Sequence, residues 1–246
     1  MSVSLRAKRL WSSMDHLIWP AVCLNCQALI APDERPLCRK CWQQLRDSTA
    51  GDYCNRCGRD VSQFAVYEHG CGFCGGESLQ FDGIMRGGFY SDTLRSMILS
   101  FKAGNCDYDA ALADMAAAAL AAASFRERVD MLVPVPLHWT RRLQRGYNQS
   151  LLIARRLGID VPISQDLVRI KKTIPQAQTT TGSQRLLNVK DAFAVRQGHP
   201  FEGARICLVD DIKTTGATLN ECARTLKLAG AVNVYAVVLA VAGQKK

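Results

Sequence analysis

Two stretches of this chain carry residues whose types and spacing could do chemistry. The first is a series of four Cys-x-x-Cys pairs: Cys23/Cys26, Cys38/Cys41, Cys54/Cys57 and Cys71/Cys74, with 11, 12 and 13 residues between successive pairs. A two-residue spacer lets both thiolates of a pair reach one ion. Eight thiolates make two tetrahedral S4 sites, the ligand set of structural zinc, so two Zn2+ are expected. The spacing fits sequential pairing of the knuckles and equally a cross-braced one. His69 is a spare ligand that eight thiols leave unneeded. A disulfide framework would need an oxidising compartment, and the N-terminus does not read as an export signal. Asp15 and His16 interrupt the stretch after Arg6, Lys8 and Arg9, and no small-x-small cleavage site follows. The expectation is a cytoplasmic protein with metal-bound or reduced cysteines and no membrane insertion. Cys106, Cys207 and Cys222 sit in apolar or helical contexts and are expected to be buried small hydrophobes.

The second stretch is Ile206-Cys-Leu-Val-Asp-Asp-Ile-Lys-Thr-Thr-Gly-Ala-Thr218. Four apolar residues read as a strand, and Asp210 and Asp211 follow at its carboxyl end, where open α/β sheets bind ligands. A Thr-Thr-Gly turn then opens a helix. Its free N–H groups and dipole favour an anion, Thr214, Thr215 and Thr218 add hydroxyls, and Gly216 and Ala217 allow close approach. Carboxylates for hydroxyl groups at one end and a phosphate turn at the other match a ribose 5-phosphate. An Asp-Asp pair also follows a strand in receiver domains, but there it lies near the domain's start.

These residues need elements to hold them. Residues 20–80 are rich in Cys and Gly and poor in branched apolar residues, so metal must supply much of their folding energy. The knuckle at Cys38/Cys41 leads into a short helix, with Trp42 and Leu45 facing one way, and Gly58, Gly75 and Gly76 follow knuckles where positive φ is common. From Phe81 the texture changes. Phe81–Tyr90 reads as a strand. Ser91 caps a helix with Leu94, Met97, Ile98 and Phe101 at helical spacing, and an Ala-rich helix spans 108–125. Asp130–Leu137 reads as a buried strand, Gln149–Leu157 as a helix, and 205–241 as a strand–helix–strand unit. The expected fold is α/β with a mainly parallel sheet, in three parts: an N-terminal helix or extension over 1–19, the cysteine-rich segment over 20–80, and the body over 81–246. The net charge is +9, and residues 141–172 hold eight Lys/Arg against two Asp/Glu. Such a block suits an anionic partner, although composition alone favours a solvated helix face and motif context must decide.

The segment Val209–Thr218 resembles the phosphoribosyl-pyrophosphate (PRPP) signature of type I phosphoribosyltransferases. By that resemblance Asp210 and Asp211 hold the ribose hydroxyls, Thr214, Thr215, Gly216, Ala217 and Thr218 wrap the 5-phosphate, and Mg2+ enters with PRPP. Lys213 stands where the signature has an apolar residue, which leaves open whether the turn is tuned for another anion. Val133–Gln149, Leu94–Gly104, Lys172–Gln178 and the Arg185…Asn188…Ala192-Phe193 pattern resemble the ComF/GntX family over 20–242. The resemblance implies a double zinc ribbon followed by a type I phosphoribosyltransferase-like domain, and a competence role in the use of external DNA. Arg145 and Gly146 read as a loop presenting a guanidinium and amides to a diphosphate, extended by Arg141 and Arg142; alternatively Arg145 caps a helix or pairs with Asp130. Asn148 reads as an N-cap. Residues 169–188, with Lys171, Lys172 and Arg185, read as a polar flap over the site or as a plain surface loop. Three functions remain open: a factor handling single-stranded DNA alongside DNA-uptake proteins, an active phosphoribosyltransferase in nucleotide salvage, and a non-catalytic PRPP or nucleotide sensor.

Overall fold

Ile206–Val209 and Val234–Val241 are unbroken apolar runs, and as strands they must be covered on both faces. The computed structural model describes residues 20–31, 36–67, 70–173 and 182–243. The expected extension at 1–19, His69 and the middle of the expected flap lie outside them. In chain order the elements are α1 (Arg39–Thr49), the short strands β1 (Val66–Tyr67) and β2 (Gly70–Cys71), β3 (Gly83–Phe89), α2 (Asp92–Lys102), α3 (Asp109–Ala121), β4 (Met131–Pro134), α4 (Trp139–Arg145), α5 (Gln149–Ala154), β5 (Leu167–Arg169), α6 (Gly182–Val189), β6 (Phe193–Val195), β7 (Arg205–Lys213), α7 (Ala217–Leu228) and β8 (Asn233–Val241).

The two apolar runs become β7 and β8, the inner strands of a four-stranded sheet ordered β3-β8-β7-β4. Every pairing in it is parallel. The fold is the expected α/β architecture with a cysteine-rich ribbon segment ahead of it. Side chains alternate across a strand, so the sheet feeds two cores. Cys207, Val209, Val237 and Leu239 pack toward α2, α3 and α5, whereas Ile206, Leu208, Ala236 and Val238 pack toward α7 and β6. In α2, Leu94, Met97, Ile98 and Phe101 are fully buried at the predicted spacing. Ser91 occupies its N-cap position without a side-chain hydrogen bond.

The ribbon segment is continuous with the body's core. Cys23, Ile30, Leu37, Cys41 and Leu45 share one cluster with Met85, Leu94, Ile98 and Leu239. In α1 it is Cys41 and Leu45, one turn apart, that face inward. Tyr108 Oη donates to the Leu24 carbonyl at 2.6 Å, and Thr93 Oγ1 donates to Gln44 Oε1 at 2.7 Å.

Several details differ from expectation. The second strand of the body stops at Pro134, since Pro136 has no N–H to donate to a ladder. The Ala-rich helix ends at Ala121. Cys106 is exposed, because it stands in a tight turn just after Gly104, while Cys207 and Cys222 are buried as expected. Of the knuckle glycines only Gly58 takes positive φ; Gly75 and Gly76 do not. The 169–188 segment starts on the last residue of β5 and ends within α6.

Candidate functional site

The eight cysteines converge in sequential pairing. Cys23, Cys26, Cys38 and Cys41 form one cluster and Cys54, Cys57, Cys71 and Cys74 the other, with the sulfurs of each within 4.8 Å of one another. Sγ–Sγ separations are 3.7 Å for Cys26–Cys38, 3.9 Å for Cys54–Cys74, 3.7 Å for Cys57–Cys71 and 3.8 Å for Cys71–Cys74. A tetrahedron with Zn–S bonds of about 2.3 Å has edges of about 3.8 Å, so both sets fit zinc. A disulfide needs about 2.05 Å and does not fit. Zinc here would be structural, since four thiolates leave no open position. The knuckle backbones are set by Cys57 and Gly58 N–H groups donating to the Cys54 carbonyl at 3.2 and 2.6 Å. In the first cluster Cys26 is exposed; in the second all four are buried.

Asp210 and Asp211 lie within β7, which continues to Lys213 along β8. Its other neighbour β4 ends opposite Val209. The carboxylates therefore stand just past the carboxyl end of β4, while their own strand runs on past them to Lys213. Asp210 Oδ1 accepts from Ser150 Oγ at 3.2 Å and from the Asp211 N–H at 2.9 Å. Asp211 Oδ2 pairs with Lys102 Nζ, at the end of α2, at 3.0 Å. Burial, and then the neighbouring Asp211 charge, push the Asp210 carboxyl up to about 7. Thr214 and Thr215 form the turn, and Ala217 and Thr218 open α7. Thr215 Oγ1 accepts from the Ala217 N–H at 3.4 Å. Gly216 holds the N-cap position at φ +83, a conformation that favours glycine. Lys213 is buried and lies beneath the turn, so it does not line the turn's ligand side.

The basic residues of 141–172 divide. Arg145 is the last residue of α4 rather than part of a loop, and Gly146 ends that helix at φ +79. Its Nη1 donates to Gln149 Oε1 at 3.2 Å. It does not meet Asp130, which is held by Arg205 at 2.7 Å. Asn148 is the N-cap of α5, accepting from the Ser150 N–H at 3.1 Å. Arg141 Nη2 donates to the Thr173 carbonyl at 2.9 Å, and Arg169 reaches the Thr173 hydroxyl. Arg169 Nε is buried with no partner among the described residues. Desolvation, and then the charges of Arg169, Lys172 and Arg141, hold His138 below its ordinary range. Lys171 instead donates to the Lys190 carbonyl at 3.2 Å. Arg185 lies in α6. Beside this cluster an open cleft of about 260 Å3 is lined by Trp139, Arg142, Asn148, Arg169 and Arg196. Burial holds the Arg169 guanidinium below its ordinary range, Arg141 adds to this, and Asp210 acts against it.

Lys102, Ser150 and Arg169 were not singled out from the sequence. Lys102 ends an amphipathic helix, and Arg169 is a charge inside a short strand. Both are detectable oddities, whereas nothing marks Ser150.

A double zinc ribbon domain family matches residues 14–76. Competence protein F of Haemophilus influenzae is 31% identical over 216 residues, 85% of this chain and 91% of that protein. Competence protein ComFC of Bacillus subtilis is 30% identical over 205 residues, 80% of each chain. DNA utilization protein YhgH of Salmonella typhimurium is 27% identical over 222 residues, covering 87% and 94%. Solved structures returned include a B. subtilis glutamine PRPP amidotransferase with ADP and GMP, at 19% identity and TM-score 0.34, covering 52% of this chain and 26% of that one. A purine phosphoribosyltransferase from Pyrococcus horikoshii gives 19% identity and TM-score 0.32, covering 53% and 73%.

Proposed function

From the premise that this chain belongs to the ComF family of competence and DNA-utilisation proteins, we propose that its body binds a phosphoribosyl ligand of the PRPP type and that the protein handles incoming single-stranded DNA. The observation that carries the ligand is the pair Asp210 and Asp211 standing one turn before Gly216, with Thr214 to Thr218 around a helix N-terminus. The carboxylates accept from ribose hydroxyls, and the turn and the α7 dipole hold the 5-phosphate. Ionised Asp210 is the form that accepts, so binding draws off the proton that burial favours. The diphosphate fits the cluster of Arg169, Arg141 and Lys172, where the buried, unpartnered Arg169 Nε offers a donor. Mg2+ takes oxygen ligands, and Asp210 and Asp211 with the diphosphate would be the groups to hold it.

A transferase reading draws support from Arg141 and Arg169, which both bond to Thr173 and so gather cations where a departing diphosphate would develop charge. DNA handling draws support from the relatives' printed names and from the exposed Trp139 beside Arg142 and Arg196, an aromatic and basic pairing suited to a single strand.

Titrating the purified protein with PRPP and Mg2+, then assaying pyrophosphate over a panel of free bases and single-stranded DNA, tests this reading. Saturable PRPP binding supports the ligand assignment, and pyrophosphate release with one acceptor adds catalysis. Binding without release across the panel identifies a sensor or a DNA-handling factor. No PRPP binding removes the assignment.

A further inference from the structure

Lys213 is only 2% exposed, and it comes one residue before the phosphate turn. A buried ammonium is costly unless opposite charge meets it. Its stem passes under Gly216: a Cβ on that glycine would lie 3.0 Å from Lys213 Cε and 3.5 Å from Nζ. Burial works most against its charge and holds it below the ordinary lysine range, Cys57, Glu77 and Cys74 favour the charge, and Arg59 opposes it. Two of these are members of the second cysteine cluster. Glu77 is engaged by Arg59, whose other nitrogen donates to the Phe73 carbonyl at 3.1 Å. Four thiolates around one Zn2+ would carry a net charge of about −2 and so would offer this lysine a counter-charge.

The backbone repeats the link. Lys213 pairs with Val241 in the sheet, and its carbonyl accepts from the Ala242 N–H at 2.8 Å. A Cβ on Gly58, the residue after Cys57, would lie 3.0 Å from Val241 Cγ2, so the Cys54/Cys57 knuckle rests on the strand partner of Lys213. On the far side of the turn, Asn220 in the first turn of α7 accepts from Gln80 N–H at 2.6 Å and donates to the Ser78 carbonyl at 3.0 Å. The segment leaving Cys74 is thereby fastened to the helix whose N-terminus makes the turn.

We infer that Lys213 is a positioning residue shared by two sites: it neutralises the zinc site at Cys54, Cys57, Cys71 and Cys74 and props the turn at Thr214–Thr218, so that zinc and a phosphate-bearing ligand strengthen each other's binding. The phosphate half rests on the function proposed above. Reciprocity follows from linkage: if zinc favours the ligand, the ligand must favour zinc by the same factor.

The test uses the full-length zinc-loaded protein and ribose 5-phosphate as probe. Zinc release to a chromogenic chelator is followed with and without saturating probe, and Cys57→Ser identifies the phase that belongs to the second site. In the wild type the probe should slow that phase several-fold and leave the first site's phase unchanged. Lys213→Met should release the second zinc about 10- to 100-fold faster, the range seen when groups supporting metal ligands are removed, and the probe should no longer slow it. Lys213→Arg, which keeps the charge, should restore much of both effects. Probe binding by calorimetry with no effect on wild-type release overturns the coupling alone. Equal release from Lys213→Met and wild type also overturns it. Absence of any probe binding overturns the coupling together with the phosphate-turn reading. Should Lys213→Met fail to fold, the wild-type comparison with and without probe still decides.

Discussion

At the scale of single residues, Asp210 carries the strongest pH signature. Its carboxyl is raised toward about 7 by burial and by Asp211. A raised folded-state value means the folded protein holds a proton that the unfolded chain gives up near 4. The stability tied to that proton is complete below the ordinary carboxylate range and is lost as pH rises through about 7. Ligand binding runs the other way, because the ionised form accepts from hydroxyls. Affinity for ribose 5-phosphate should therefore rise between pH 6 and 8. The ligand's own phosphate titrates near 6, so the control is Asp210→Asn, which should bind weakly and keep only the phosphate's part of the slope. An identical slope in both proteins would assign it to the ligand alone. The cysteines give a second expectation. Cys26 is exposed, whereas the second cluster is wholly buried. A chelator should strip the first zinc faster than the second, and stripping in the reverse order would contradict the geometry. Both sites were legible because short-range spacing encodes them: two residues between thiols, and a carboxylate pair next to a Thr-Thr-Gly turn. Lys102 and Ser150 were not. Their relation to Asp211 and Asp210 depends on segments 109 and 60 residues away meeting in space, which local pattern does not record.

At the scale of elements, periodicity was a good guide where burial was one-sided or complete. The apolar stripe of α2 and the continuous runs of β7 and β8 fell where expected. Edges were less legible. Arg145 sits in α4 because Gly146 supplies the positive-φ stop, and the helix takes in everything before it. The reach of β7 to Lys213 depends on β8 being long enough to pair with it, a tertiary fact. The ribbon's attachment was also invisible, because the pattern gave Trp42 and Leu45 one helix face without saying what it covers, whereas Leu45 and Leu37 share one cluster with Leu94 and Ile98. That attachment has a measurable consequence. Leu45→Ala should cost about 2–5 kcal/mol, and in chemical denaturation the ribbon and body should lose structure in one transition. Two separate transitions, with only the first moved, would show that the shared cluster contributes little.

At the scale of the whole molecule, none of the helices among the described residues is long and apolar enough to cross a membrane. The proposed ligand site would draw on β7, the α7 N-terminus, α2, α5 and β5. The basic face lies next to it at Trp139, Arg142 and Arg196. Binding of single-stranded DNA should weaken steeply with salt. Arg142→Ala with Arg196→Ala should lower the slope of log K against log salt by about 1.4, at about 0.7 per phosphate contact on a single strand. An unchanged slope would place the DNA surface elsewhere. The central claim is that adjacent carboxylates and a helix-opening turn hold a ribose phosphate. Its most direct test is calorimetric titration of the zinc-loaded protein with PRPP and Mg2+, comparing the wild type with Asp210→Asn/Asp211→Asn while checking zinc content and thermal unfolding. The account predicts saturable one-site binding by the wild type and no measurable binding by the variant, which keeps both zinc ions and a cooperative unfolding transition. Equal PRPP affinity in the two proteins would contradict it.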